Sequence, residues 1–224
     1  MPSKATLAHA SKTSVRAEAQ VRQRISAEAA RIMSEEGVRD FQTAKRKAAN
    51  RLNLPDGKNL PANQEVESAL HEYLQLFHAE RLSGTLSELR IVAIEAMRFF
   101  AAFDPRLVGS VLSGVVTAES VVQLHVCADT PEEIGLWLQD HNIPYEETDR
   151  RIRYGGERYD TRPVYRFNAD ATAVEVYVFE PQSVREPPLS PVDGKRMRRA
   201  TIRELEAITK SPAPASFLEF NAPE

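Results

Sequence analysis

Thiol chemistry is nearly absent from this chain. Cys127 is its one cysteine, so neither an internal disulfide nor a cysteine-based zinc site can form, and its apolar neighbours mark it as a buried, inert thiol. Long apolar runs are missing too. No stretch of ~18 apolar residues occurs, and the N-terminal MPSKATLAHASKTSVRAEAQ lacks the apolar segment of a signal peptide, which predicts a cytoplasmic protein without a membrane span. Several catalytic signatures are also absent. Without a GxxxxGK(S/T) loop there is no P-loop cradle for a nucleotide, and no GxSxG elbow, HExxH pair or CxxC supplies hydrolase, metalloprotease or redox chemistry. Ser110 and Ser113 have His125 and Asp129 downstream, but at no spacing that defines a nucleophilic triad.

What remains is enough for a folded body. The 224 residues are 42% hydrophobic, sufficient for one large domain or two small ones. The net charge of −3 conceals an asymmetry: residues 1–58 carry 12 Lys and Arg against 6 Asp and Glu, and the remainder 17 against 26. The front is basic and the body acidic.

Residues 1–12 read as a flexible polar terminus, and 13–104 as a helical region. Ser14 to Glu36 places Val21, Ile25, Ala29, Ile32 and Met33 at helical spacings and ends at Gly37. Asp40 is placed to cap a second helix, with Phe41, Ala44, Ala48 and Leu52 on one face, ended by Asn53 and Pro55. Its other face carries Lys45, Arg46, Lys47 and Arg51. Two short helices joined near Gly37 resemble a helix-turn-helix, so this face is a nucleic-acid contact or, more plainly, a solvated surface without aromatic or amide readers. Val66, Leu70, Tyr73, Leu74 and Phe77 predict a third helix over Asn63 to Leu82. Gly84 is expected to break it, and Thr85 with Glu88 to cap a fourth helix through Phe100. His71 and His78, two turns apart, read as structural residues and not as a metal pair.

From Pro105 the grammar changes to strands. Leu107–Val108 and Val121 to Ala128 are apolar strands flanking a turn that carries Gly109, Ser110 and Gly114, where backbone N–H groups can face an anion. Thr130-Pro131-Glu132-Glu133 opens a helix to about Asp140, with Ile134, Trp137 and Leu138 toward the sheet. Strands follow at Ile143 to Arg153, Pro163 to Phe167 and Ala173 to Phe179, separated by Gly155-Gly156 and Asn168-Ala169-Asp170. Residues 183–224 hold a proline-rich connector, a basic run and a last helix from Thr201 to about Lys210, with a loose tail after Ser211. The fold class is α+β, a helical region followed by a mixed sheet with flanking helices.

Gly109-Ser110-Val111-Leu112-Ser113-Gly114, a five-residue spacer, and Ser120-Val121-Val122-Gln123-Leu124-His125-Val126 resemble the GSxxxG and SDIDLxV frame of the polymerase-beta-like nucleotidyltransferase superfamily. The resemblance runs from about Leu89 to Phe179 and implies that residues 105–182 form a nucleotidyltransferase-like domain. The two aspartates of that motif, which in active members hold Mg²⁺ ions, fall on Val121 and Gln123. Valine cannot ligate a metal, and a neutral amide is a poor substitute for a carboxylate with Mg²⁺. Glu175 matches the family's third acid or else alternates outward to water, and His125 shares a strand face with Gln123.

The resemblance therefore implies a degenerate domain, a binding or regulatory module more than an enzyme, with no cofactor. It would hold a nucleotide or phosphorylated ligand, or a protein partner or second copy, through Gly109, Ser110, Gly114 and Ser120 and through Arg151, Arg153, Arg196, Arg198 and Arg199. The alternatives are an active, Mg²⁺-dependent nucleotidyltransferase with rearranged acids Glu119, Asp129 and Glu175, and a nucleic-acid-associated protein using the basic helix over 40–52.

Overall fold

The computed structural model describes residues 4–54, 60–181 and 186–210, and among these the side chains of all but 4–15 and 80–82. Part of the proline-rich connector and the tail after Ser211 lie outside the described residues. The chain forms two compact units: the first holds Met1–Leu82, Thr117–Glu119 and Pro191–Gly194, the second Ser83–Val116, Ser120–Ser190 and Lys195–Glu224.

The first unit is helical. Helix α1 spans Lys4–Glu35, beginning inside the stretch read as a polar terminus, and α2 spans Phe41–Arg51. Asp40 caps α2 as its sequence position predicts, accepting bonds at 2.7 Å from both the backbone N–H and the hydroxyl of Thr43. Ile25, Ala29, Ile32 and Met33 of α1 and Ala44, Ala48 and Ala49 of α2 are buried. Small residues on α2 let the two helices approach closely. Helix α3 spans Asn63–Phe99, and in this unit it buries Val66, Leu70 and Leu74. Phe77, read as part of that buried stripe, is 66% exposed, and so is its neighbour Leu76 at 77%. The stripe ends one turn earlier than its spacing implies, just before His78 departs from helical geometry at φ −138°, ψ 20°.

Two helices meet in α3 as expected, but at the kink at His78 and not at Gly84, which lies with Thr85 inside the second of them. A helical glycine costs only about 1 kcal/mol relative to alanine, and a Cβ at Gly84 would meet nothing within 4 Å, so no turn or close approach depends on it.

The second unit is built on a five-stranded mixed sheet in the order β1-β2-β5-β4-β3. The strands are β1 Arg106–Val108, β2 Val122–Cys127, β3 Glu146–Arg153, β4 Tyr159–Ala169 and β5 Thr172–Phe179. β2 and β5 run parallel at the centre, and the other pairs are antiparallel. Alternation divides the strands into two faces. Leu107, Leu124, Val126, Val174, Val176, Tyr165 and Phe167 form a buried apolar face. Phe100, at the end of α3, stacks on Phe167 at 6.0 Å, and a Cβ on Gly135 of α5, Glu132–Asp140, would lie 3.3 Å from the Tyr165 ring. Helices therefore cover this face. Trp137 of α5 lies in an aromatic cluster with Phe99, Phe103 and His141, half-buried, instead of beneath the sheet.

The other face carries Gln123, His125 and Cys127 on β2, Glu175, Tyr177 and Phe179 on β5, and Arg162, Val164 and Arg166 on β4. The chain after residue 186 engages both edges of the sheet. Leu189 N–H donates to Arg153 O of β3, Leu189 bridges to Arg196, and Ala200 exchanges two 2.9 Å backbone bonds with Leu107 of β1. An edge strand left open is a site for unwanted pairing, and these bonds occupy both ends of the sheet. Helix α6, Ile202–Lys210, follows, its start capped by the Thr201–Glu204 bonds.

Candidate functional site

Between β1 and β2 the chain turns through the short helix α4, Gly109–Ser113. Gly109 enters at φ +73° and Gly114 leaves at φ +87°, left-handed values that favour glycine at both ends of the motif. The Ser110 carbonyl closes the turn, accepting from Gly114 N–H at 2.8 Å and from the Ser113 hydroxyl at 3.2 Å. Gly109 is needed for a second reason. A Cβ there would sit 2.3 Å from Oε1 of Gln123, so the Gln123 carboxamide is seated directly against the turn.

Gln123 and Glu175 are register partners on parallel strands. Gln123 Nε2 donates to Glu175 Oε2 at 3.1 Å and approaches the Tyr177 hydroxyl at 3.3 Å, while that hydroxyl donates to the same Glu175 oxygen at 3.3 Å. Glu175 is 2% exposed, so the reading in which it alternates outward to water is set aside. Burying a carboxylate is costly unless it is hydrogen-bonded, and the amide and phenol supply two of its donors.

His125 lies two residues along the same face, 5% exposed, its ring 4.5 Å from Phe179 and 5.7 Å from Tyr177. Among the described residues its Nδ1 has no hydrogen-bond partner. Burial pushes its pKa down to about 3, and the positive charge of Arg199 adds to the effect, so the imidazole is neutral at physiological pH. Cys127, half-buried at the end of the face, has its thiol pushed up by burial, assisted by Asp104 and opposed by Arg199 and Arg106. It is not an activated nucleophile.

The five candidate arginines do not form one patch. Arg151 stacks over the Tyr159 ring at 4.0 Å and Arg153 is exposed, both on the edge strand β3. Arg198 and Arg199 precede the Ala200–Leu107 bridge at the opposite edge, with Arg196 on the Leu189 bridge between them. Of the alternative acids, Glu119 lies in the first unit with its Cγ against Gly37, and Asp129 is exposed. Among the described residues, no group of three or more His, Cys, Asp or Glu side chains is placed to hold a metal ion.

The basic helix of the first unit is largely engaged within that unit. Lys45 is 6% exposed, and its ammonium donates to Pro61 O at 3.0 Å and Asn63 Oδ1 at 2.7 Å. Lys47 pairs with Glu36 at 3.4 Å, and Arg51 with Glu36 and Glu28. Arg46 is exposed.

Two residues of the second unit escape the sequence reading. Tyr177 follows from the same alternation that places Glu175 on this face. Arg90 carries no signal, because an arginine on a helix reads as solvated by default.

No protein-family model matches the chain, and no curated protein matches it.

Proposed function

We propose that the chain is a nucleotidyltransferase-like binding module, not a catalyst, that holds a nucleotide or phosphorylated ligand at the Gly109–Gly114 turn. One observation carries the reading: the amide of Gln123, pressed against Gly109, is hydrogen-bonded to Glu175 on the parallel neighbouring strand. In the resembled frame these two positions, with Val121, are the metal-binding acids. A glutamine donor beside the remaining carboxylate supplies one of its hydrogen bonds, and a neutral amide at that position leaves one negative charge fewer for Mg²⁺ to bridge. The antiparallel β1-β2 pair joined by the glycine-serine turn supports the same reading, as does Arg199 close to this face.

The test is a pair of assays on one sample. Calorimetry with ATP, GTP, CTP and UTP in EDTA should find at least one that binds, and pyrophosphate release with the same nucleotides and Mg²⁺ should stay at background. Metal-dependent pyrophosphate release that is lost in Glu175→Gln overturns the reading.

A further inference from the structure

β3 is an edge strand, and all of its residues except Ile152 are exposed. It pairs with β4 from Glu146 to Arg153, whereas β4 pairs with β5 only from Val164 onward. Pro163, which has no N–H to give, stands where β4 parts from β5 and continues with β3 alone. A two-stranded ribbon is marginally stable by itself, so a further strand would stabilise it. The backbone shows which groups of β3 are open to one. Tyr154 N–H bonds inward to Arg158 O at 2.8 Å, and Arg153 O accepts from Leu189 N–H on the outer side at 2.7 Å. Alternation then turns the N–H and C=O of Glu147, Asp149 and Arg151 away from β4. Among the described residues, no backbone group bonds to them on that side.

The side chains of this strand are ordered by sign: Glu146, Glu147 and Asp149 precede Arg150, Arg151 and Arg153. Charges on an edge usually discourage pairing with another strand. Here an antiparallel copy sets the acidic half of each strand against the basic half of the other. We infer that β3 pairs with β3 of a second copy across a twofold axis at Asp149, joining the two sheets into one. Glu147 then faces Arg151 of the second copy, Arg151 faces its Glu147, and each Asp149 lies diagonal to the other copy's Arg151. Each facing pair exchanges both backbone bonds. Arg151 is already held over the Tyr159 ring at 4.0 Å, so it loses little freedom on pairing. Neighbouring registers fail. An axis at Arg150 needs Arg153 O, which Leu189 holds, and an axis at Thr148 sets Glu147 against Asp149. The pairing is independent of what the glycine-serine turn binds.

Sedimentation equilibrium of the full chain, with thermal melts to confirm that each variant folds, tests the pairing. A strand pairing of this length is a small interface, so the dimer should grow between about 1 and about 100 μM and weaken as salt is added. Glu147→Arg and Arg151→Glu each set like charges opposite one another, and each should raise the dimer midpoint at least about tenfold. An equimolar mixture of these two variants should dimerise again, because each arginine of one then faces a glutamate of the other. Asp149→Pro, which removes only an outward N–H, should abolish the dimer, and the charge variants keep the test open if it does not fold. Asp149→Asn, which removes the like charges at the axis, should tighten the dimer about threefold. A wild type that stays monomeric to about 100 μM overturns the second copy as the occupant of this edge. A dimer that persists in Asp149→Pro and in both charge variants overturns it as well, as does a mixture of the charge variants that stays monomeric. An unchanged or weaker dimer in Asp149→Asn overturns the axis at Asp149.

Discussion

Gln123 and Glu175 face each other across the parallel β2-β5 pair, joined by a 3.1 Å bond from amide to carboxylate. That amide is one of the donors that the buried carboxylate accepts from. Gln123→Leu removes it and should destabilise the protein by about 1–3 kcal/mol, read as a lowered urea midpoint with an unchanged slope. A variant as stable as the wild type would show that the bond contributes nothing to folding.

Gly109→Ala meets two obstacles, the left-handed φ of +73° and the 2.3 Å approach to Gln123 Oε1. The backbone term alone is about 1–2 kcal/mol. The second obstacle is the end of a flexible side chain, so Gly109→Ala made in a Gln123→Ala background should cost measurably less than in the wild type. Additive effects in the double-mutant cycle would refute the close packing of turn and amide.

His125 links stability to pH. Its folded pKa, pushed down to about 3, lies below the ordinary 6.5, so the unfolded chain takes up a proton first as the solution is acidified. The contribution of the neutral imidazole is fully present above pH 6.5 and is lost as the pH falls toward 3, by on the order of 4–5 kcal/mol over the whole window. His125→Leu should flatten the pH dependence of the unfolding free energy between those limits. Parallel wild-type and variant curves would contradict a buried neutral histidine.

Lys45 and Arg46 are adjacent in sequence and opposite in role. Lys45→Ala leaves Pro61 O and Asn63 Oδ1 without their donor and should cost about 1–3 kcal/mol, whereas Arg46→Glu, at an exposed position, should stay within about 0.5 kcal/mol. Thermal unfolding of the two variants separates them. Loss of RNA or DNA binding in Lys45→Glu therefore needs a matched folding control before it speaks for a nucleic-acid surface.

The alternation of apolar and polar residues in Val122–Cys127 and Thr172–Phe179 made both central strands legible, and it put Gln123 and His125 on one face from spacing alone. Turn chemistry at Gly109, Gly114 and Gly156 was legible for the same reason, since few other residues accept those backbone angles. Pairing was not. That Gln123 meets Glu175, 52 positions away, depends on which strands become neighbours, and local sequence does not encode that. That the kink between the two helices of α3 falls at His78 and not at Gly84 was hidden because a helical glycine's propensity weighs only about 1 kcal/mol. Lys45 and Arg90 were misread or overlooked because a long basic side chain looks solvated until the surface that buries it is known.

If the Gln123–Glu175 pair replaces a metal-binding pair of acids, as proposed, ATP affinity by calorimetry for the wild type and Glu175→Gln, each in EDTA and in Mg²⁺, will show it. Binding to the wild type should be equal in both buffers and change less than about twofold in Glu175→Gln, which retains the fold by keeping the side chain's shape. Binding that requires Mg²⁺ and disappears in Glu175→Gln would contradict it.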